Sequence, residues 1–170
     1  MLSRPLSDEA APYYSKYIDL VDGDDIIAEL EAQLTATRNF LKTISEERSL
    51  YRYASDKWTI REVLSHINDC ERVFAFRAFW FARGFSEALP SFDQDVCVKN
   101  AVANSVRWAD HLKEFGQLRL TTLSLFSNLP AESWDNGGIA SDNRFTVRAL
   151  AYILAGHVSH HLAVIKERYL

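Results

Sequence analysis

The sequence predicts an all-α protein, a four-helix bundle in which residues 1–170 form a single domain. Four long segments carry apolar residues at helical spacing, and no segment shows the alternating pattern of a strand that would compete with them. The chain holds only six glycines and four prolines, and they cluster between these segments. Long amphipathic helices must bury their apolar faces against one another, so four of them favour a bundle.

Composition and charge narrow the class of protein. The chain is 48% hydrophobic and 25% charged, which is ordinary for a soluble globular domain. A formal net charge of −4 gives no basic patch, so we expect no binding to nucleic acid or to anionic membranes. No secretory signal is visible, and no apolar run approaches the roughly 18 residues that span a bilayer. Two cysteines, Cys70 and Cys97, suit a reducing cytosol, so a cytoplasmic location is expected.

The first half of the chain predicts an extension and two helices. Residues 1–22 contain Pro5, Pro12 and a pair of tyrosines, and we expect them to pack over the bundle without forming an element. The first helix is predicted over about residues 24–44, behind an acidic first turn. The second is predicted over about residues 59–83, because Thr59 and Glu62 match a capping box and the residues around them match a hydrophobic staple.

The second half predicts two more helices. The third is expected over about residues 95–128, ending before Pro130, and the fourth starts at the N-cap Thr146 and runs nearly to the C-terminus. The connections over residues 83–94 and 129–145 are long for bundle loops, which usually have two to eight residues. The first is long enough to cross the bundle, and both are long enough to cover a pocket.

The second helix carries more aromatic residues than one buried stripe requires. Aromatic side chains surround nearly its whole circumference between Phe74 and Phe85, whereas a buried stripe covers a third to a half of a helix. A thick core covered by long loops would explain this excess. Burial of a second face against another copy of the chain would also explain it, and it predicts a homodimer.

Three of the five histidines lie within five positions of the last helix. At about 100° per residue, His157 and His161 fall inside the apolar stripe, whereas His160 lies on its margin. Two inward histidines at i and i+4 can share one divalent cation. The alternative is that each imidazole finds hydrogen-bond partners across the core.

A third ligand should come from another helix, and His66 is the natural choice because apolar residues surround it at helical spacing. If the second and fourth helices are antiparallel, His66 lies within side-chain reach of the pair, at about 1.5 Å of rise per residue. Three histidines leave a coordination position open, as in catalytic metal sites. Nitrogen ligands suit zinc or nickel best, with iron, manganese or copper as further candidates.

The remaining polar residues near this cluster have weaker patterns. Asp69 could orient an imidazole or reach the metal through water, or it could be a solvated carboxylate. Asp69 and Asp93 are candidates for a general base by position alone, and His160 could serve as one at the margin of the pocket. Cys70 could bind metal but is better explained as a small buried hydrophobe. His111 lies in a polar run and is expected at the surface.

Four segments together resemble the DinB-like superfamily of metal-binding four-helix bundles. They are "KWTIREVLSHINDCERVFAFR", "LPSFDQD", "EFGQLRLTTLSLFSNLPAESW" and "TVRALAYILAGHVSHHLAVIKERY". The family's metal pattern, a histidine followed much later by H-x-x-x-H, corresponds to His66, His157 and His161. The resemblance implies an up-down-down-up bundle with a long crossover between helices 2 and 3, a divalent metal at one end, and commonly a homodimer.

The resemblance also suggests a reaction. Some relatives resemble transferases or isomerases that use a low-molecular-weight thiol, so thiol (S-) transfer to a small electrophilic molecule is the leading hypothesis. A metal-dependent hydrolase is the alternative within the same chemistry, because a metal lowers the pKa of bound water as well as of a bound thiol. A non-catalytic bundle that binds a metal or ligand is the alternative from a different class.

Overall fold

The computed structural model describes residues 3–170. Helices α2, α3, α5 and α6 form the predicted four-helix bundle, and two short helices and one hairpin are added to it. The helices are α1 (Ser15–Ile18), α2 (Ile26–Leu41), α3 (Ile60–Ala82), α4 (Gln94–Ala101), α5 (Trp108–Ser127) and α6 (Val147–Arg168). The strands are β1 (Gly137–Ala140) and β2 (Asn143–Thr146). Among residues 3–170, no helix is long and apolar enough to span a membrane.

The predicted start signals of α3 and α6 are confirmed. Thr59 Oγ1 accepts a hydrogen bond from the Glu62 N–H at 3.1 Å, and the Glu62 carboxylate accepts one from the Thr59 N–H at 2.7 Å. Thr146 Oγ1 accepts from the Ala149 N–H at 3.0 Å at the start of α6. These caps satisfy backbone donors that a helix leaves free in its first turn. They fix the first residues of the two helices that carry the histidines.

Contacts at the helix ends show that α3 and α6 are antiparallel. The Tyr169 hydroxyl, just after α6, donates to the Trp58 carbonyl just before α3, at 2.9 Å. At the other end, Phe81 near the end of α3 packs against Gly138 in the hairpin that leads into α6. This arrangement brings the start of α3 level with the end of α6. The antiparallel pairing that the histidine spacing favoured is therefore present.

One buried polar network joins all four helices of the bundle. Arg119 of α5 donates two hydrogen bonds to the Glu71 carboxylate of α3, at 2.8 and 3.0 Å, and both side chains are completely buried. Arg119 also donates to Gln33 Oε1 of α2 at 2.7 Å. The Gln33 amide in turn donates to the Ala155 carbonyl and to Ser159 Oγ of α6, at 2.8 and 2.9 Å. The network fixes the register of the four helices because each polar group depends on its neighbour in another helix.

The predicted third helix, over about residues 95–128, is wrong as a single element. The chain forms α4 and then α5, and the break begins at Val102, whose φ of 50° lies in the left-handed region. The buried guanidinium of Arg61 accounts for the break. It donates to the carbonyls of Asn104 and Val106, at 3.3 and 2.7 Å, which a continuous helix would use internally. Helical periodicity resumes on both sides, so the sequence pattern gives no sign of the interruption.

The expectation that no strands form is also wrong at one place. Strands β1 and β2 pair antiparallel within the segment expected to be a loop, with Ser141 and Asp142 at positive φ in the turn between them. The Leu89 N–H donates to the Ile139 carbonyl at 2.9 Å, and the Thr146 N–H donates to the Glu9 carbonyl at 3.0 Å. The hairpin therefore holds the crossover connection on one side and the N-terminal segment on the other. Its strands have only four residues each, too short to show a period.

The N-terminal extension forms helical turns rather than an unstructured cover. A 3₁₀ turn over Pro12–Tyr14 leads into α1, which packs against α6. Gly156 permits this approach, because a Cβ at that position would overlap the carbonyl oxygen of Tyr17. The first two residues of the predicted extension lie outside the described residues. The close approach places Tyr17 beside the histidines of α6.

We expect replacement of Arg119 by methionine to destabilise the protein by roughly 3–5 kcal/mol, because it leaves the Glu71 carboxylate buried without a counter-charge. The measurement is chemical denaturation followed by circular dichroism. The matched control is Arg107→Ala, which removes a fully exposed ion pair with Asp110 and should leave the denaturation midpoint unchanged. Replacing Glu71 and Arg119 together by methionine should recover much of the loss, and equal losses in the single and double variants would contradict the interpretation.

Candidate metal centre

Three imidazoles converge at one end of the bundle, as predicted. His66 comes from the second turn of α3, and His157 and His161 come from successive turns of α6. The Nε2 atom of His157 lies 3.1 Å from Nε2 of His66 and 3.1 Å from Nε2 of His161. One ligand nitrogen from each residue lies within 4.8 Å of the other two. The structure therefore brings together all three residues of the predicted ligand set.

The spacing of these nitrogens fits a divalent metal ion. Two nitrogens bound at 2.0–2.1 Å in tetrahedral geometry would be about 3.3 Å apart, close to the two 3.1 Å separations. The alternative, in which the three imidazoles hydrogen-bond to one another, leaves some of their ring nitrogens without a partner. The single Nε2 of His157 faces two other ring nitrogens, and it can donate to one of them or accept from one of them. A cation facing three lone pairs satisfies all of them, so the three residues fit the group that the sequence pattern implies.

Burial keeps these imidazoles neutral. Desolvation lowers the pKa of His66 to about 4 and that of His161 to about 3. It also lowers the pKa of His157 well below its usual value, with a further contribution from the two neighbouring imidazoles. A neutral imidazole has the free lone pair that a metal ligand needs, whereas a protonated one does not. The site is therefore ready to bind a cation at neutral pH without first releasing protons.

Aromatic side chains surround the three histidines. The indole of Trp58 lies 5.1 Å from the ring of His66, measured between centroids. The phenol ring of Tyr17 lies 5.4 Å from the ring of His157 and contacts it edge to face. Both rings hold the imidazoles in place, and Tyr17 covers the cluster on the side of α1. Tyr17 and Trp58 were not predicted as site residues, although Trp58 precedes the capping box and so had a position that the sequence defined.

An open cleft of about 320 Å³ lies on the other side of the cluster. His161 is only partly buried and forms part of the cleft wall, whereas His66 and His157 lie behind it. The cleft is lined by Tyr53, Asp56, Lys57, Trp58, Val63, His160, His161, Val164 and Tyr169. Its size is at the lower end of the range for small-ligand sites. The segment before α3 supplies four of these residues, Tyr53, Asp56, Lys57 and Trp58.

The three weaker candidates for a general base occupy different surroundings. His160 lies in the cleft wall, and its ring is 5.0 Å from that of His161. Asp69 accepts a hydrogen bond from Arg72 at 3.1 Å, and burial raises its pKa. Asp93 is the N-cap of α4, where its carboxylate accepts from two backbone N–H groups. Of these three, only His160 shares the cleft with a histidine of the cluster.

Two other residues were given secondary roles by the sequence. Cys70 is buried, with its Sγ 3.7 Å from each ring nitrogen of His66. Burial raises the pKa of its thiol, which agrees with a packing role because a ligand would be a thiolate. The prediction that His111 lies at the surface is wrong, because it is 3% exposed. Its Nε2–H donates to the Ala103 carbonyl at 2.9 Å, so the unforeseen break before α5 folds over it.

Comparisons with known proteins agree with this architecture. A family model described as the DinB superfamily matches residues 29–165. The fold is similar to that of YfiT from Bacillus subtilis, described as a probable metal-dependent hydrolase with an unusual four-helix bundle topology. That similarity has a TM-score of 0.70 at 17% identity and covers 96% of this chain and 90% of the other. Comparison with curated proteins gives no match.

We expect the metal-free protein to lose stability as the pH falls from about 6.5 towards 4. In this window an unfolded histidine takes up a proton but folded His66, with a pKa of about 4, does not. Each such imidazole contributes a slope of about 1.4 kcal/mol per pH unit, so the stability is fully present above 6.5 and lost as the pH falls through the folded pKa. Urea denaturation at several pH values, with chelator present, measures the slope.

The matched control is His66→Asn, which removes one titrating group and replaces it with a neutral polar side chain of similar size. Its stability should fall less steeply than that of the parent over the same pH window. Identical slopes for the two proteins would show that this imidazole is not held neutral by the fold.

Proposed function

Because this chain belongs to the DinB superfamily, we propose that it is a divalent-metal-dependent enzyme in which His66, His157 and His161 hold the ion. The observation that carries the proposal is the convergence of three neutral imidazoles beside an open cleft. A closed set of four protein ligands is typical of a structural metal, whereas three ligands next to a cleft leave a position for a reactant. The substrate would be a small electrophilic molecule held in that cleft.

The residues around the three histidines have different roles in such a site. When bound, a divalent ion supplies a Lewis acid that lowers the pKa of water or of a thiol. Trp58 and Tyr17 pack against the imidazoles of His66 and His157 and hold them in orientation. His160 stands in the cleft wall, where its imidazole can take up or return a proton. Burial lowers the pKa of His160, so it is neutral and available as a base at pH 7.

Hydrolysis is the reaction that we propose first. The similar fold of YfiT is described as that of a probable metal-dependent hydrolase, and three protein ligands with an open fourth position are typical of catalytic metal sites. The proposed nucleophile is water that enters through the cleft beside His161. Zinc and nickel suit three nitrogen donors best, and the metal itself is part of the proposal.

Transfer of a low-molecular-weight thiol is the second candidate, favoured by the dimensions of the cleft. A volume of about 320 Å³ is roughly ten times the share of one water in the liquid, so the cleft has room for a thiol beside the cluster. Lys57 and three aromatic residues in its wall offer a cation and flat surfaces to the polar and apolar parts of such a molecule. Both candidates use the same three histidines and differ only in the nucleophile.

We expect His66→Asn and His161→Asn to lose their bound metal and to lose turnover by at least about a hundredfold, because two imidazoles hold an ion much less tightly than three. Elemental analysis of the purified proteins measures the metal content. Turnover is measured with a panel of activated esters, amides and alkyl halides, each with and without added thiols. The control is His160→Asn, which should keep the metal and reduce only turnover. Full metal content in both ligand variants would overturn the proposed site.

Chelation separates the enzyme from a non-catalytic metal protein. If the ion serves the reaction, removing it should abolish turnover while the helical circular dichroism signal and the melting temperature change little. Loss of the folded state on chelation, with no turnover in the loaded protein, would support a structural metal instead.

We also propose that the protein forms a homodimer through the exposed aromatic face at the end of α3. This face consists of Phe76, Phe79, Trp80 and Phe85, and three of its members are between 38% and 50% exposed. Contiguous aromatic surface of this kind is unusual on a monomer and is enriched in the cores of interfaces.

Replacing Phe76 and Phe79 by glutamate should convert the dimer to a monomer, because it would bring four carboxylates into the interface. Light scattering coupled to size-exclusion chromatography measures the mass at micromolar concentration. The matched control is Leu120→Glu, which changes an apolar residue on α5 that is at least as exposed, and it should leave the mass unchanged. A monomeric mass for the unaltered protein would contradict the proposed dimer.

A further inference from the structure

Arg77 of α3 differs from the other buried arginines of the described residues. Arg61, Arg77 and Arg119 are all at most 4% exposed. Arg61 forms an ion pair with Glu46 at 2.6 Å, and Arg119 forms one with Glu71 at 2.8 Å. Within residues 3–170, no carboxylate oxygen lies within 4.0 Å of the Arg77 guanidinium. A buried cation without a counter-charge is costly, which suggests that a counter-charge comes from outside the chain.

The groups around Arg77 are all uncharged. One terminal nitrogen, Nη2, donates to Ser141 Oγ at 2.7 Å and to the Pro90 carbonyl at 3.2 Å. The guanidinium lies 5.9 Å from the ring of Phe145, and the nearby Tyr14 phenol is neutral, with burial raising its pKa further above the ordinary value. Desolvation lowers the pKa of Arg77, as expected for a cation that has lost its water without gaining an anion. A guanidinium nevertheless stays charged in proteins, so the positive charge remains.

Arg77 lies in the wall of a cleft of about 300 Å³ between α3 and the crossover connection. The cleft is lined by Arg72, Val73, Phe76, Arg77, Leu89, Pro90, Ser91 and Phe92. Its other cation, Arg72, already forms ion pairs with Asp69 and Glu114. The remaining wall is mostly apolar. The cleft therefore combines one positive charge that has no ion-pair partner with an apolar surface that a hydrocarbon or aromatic group can contact.

We propose that this cleft binds a small amphiphilic carboxylate, whose head pairs with Arg77 and whose apolar body lies against Val73, Leu89 and Phe92. Pro90 and Ser141 take the hydrogens of Nη2, which leaves the N–H groups of Nε and Nη1 to donate to a carboxylate. The volume is at the lower limit of the usual range for ligand pockets, which restricts the ligand to a short chain or a single ring. The neutral hydroxyl of Ser141 and the carbonyl of Pro90 orient the guanidinium without neutralising it.

This cleft is separate from the metal centre. Arg77 lies eleven residues after His66 on α3, which corresponds to about 16 Å along the helix. It is therefore too distant to supply a ligand to an ion held by the three histidines. The proposal does not depend on the proposed function, and binding in this cleft should be the same in metal-loaded and metal-free protein.

Octanoate is the probe, and octanamide is its neutral counterpart of the same shape. Isothermal titration calorimetry with the full chain should give saturable binding of octanoate, with octanamide at least about tenfold weaker, because only the carboxylate meets the charge of Arg77. Removal of the metal by chelator should leave octanoate affinity unchanged. No saturable binding of octanoate at millimolar concentration, or equal binding of the amide, would overturn the proposal.

Ser141→Asp provides a sharper test because it keeps the arginine. Ser141 has a φ of 50°, a conformation that Asp and Asn adopt more readily than most residues, and its Oγ already contacts Arg77. The new carboxylate should pair with the guanidinium, raise the melting temperature, and weaken octanoate binding at least about tenfold by occupying the same charge. Ser141→Asn is the matched neutral control and should bind octanoate as the parent protein does.

The two Ser141 variants decide the outcome together. Loss of octanoate binding in the aspartate variant and retention in the asparagine variant would support recognition of the anion by Arg77. Unchanged affinity in a folded aspartate variant would show that the carboxylate is bound elsewhere and would overturn the assignment. Chelator-sensitive binding would place octanoate at the metal centre and would overturn it as well.

Discussion

The Arg119–Glu71 ion pair is the interaction on which the rest of the bundle depends. Its two charges are completely buried, so each requires the other, and the remaining donors of Arg119 require Gln33. Because Gln33 also donates a hydrogen bond to α6, these polar groups all find their partners only when the four helices are aligned in one register. Glu71 lies five residues after His66, and the carbonyl of Ala155 lies two residues before His157. The register that satisfies the ion pair is therefore the register that brings the histidines together.

Much of this arrangement could be predicted from the sequence, and the reasons are local. The capping box at Thr59 and the N-cap at Thr146 predict where α3 and α6 begin. The i, i+4 spacing of His157 and His161 places both side chains on one face of α6. His66 could be added because its apolar neighbours put it on the inner face of α3. These inferences depend on helical periodicity and on capping motifs, and periodicity is the primary signal of secondary structure in a single sequence. The predicted ligand set and the four-helix bundle follow from it.

The features that escaped prediction depend on contacts between distant residues. The break after α4 exists because Arg61, about forty residues earlier, takes up the carbonyls of Asn104 and Val106. That break buries His111, which its polar neighbours in the sequence had suggested was exposed. The hairpin is held by Glu9 and Leu89 from separate parts of the chain. In each case the local pattern was compatible with a simpler structure, and the deciding partner was far away in the sequence.

The two clefts differ from the core in how their polar groups are satisfied. Arg61 and Arg119 find carboxylates within the chain, and these pairs contribute to the specificity of the fold. His66, His157 and Arg77 are just as buried and His161 is partly buried, yet these groups face one another or uncharged oxygens, and burial lowers the pKa of each. All of them lie on α3 or α6, beside an open cleft. Buried polar and charged groups without a full set of partners destabilise the free chain, and they are typical of sites where a ligand supplies the missing partner. In the two proposed sites a cation would complete the first set and an anion the second, so α3 would contribute to two sites that bind ligands of opposite charge.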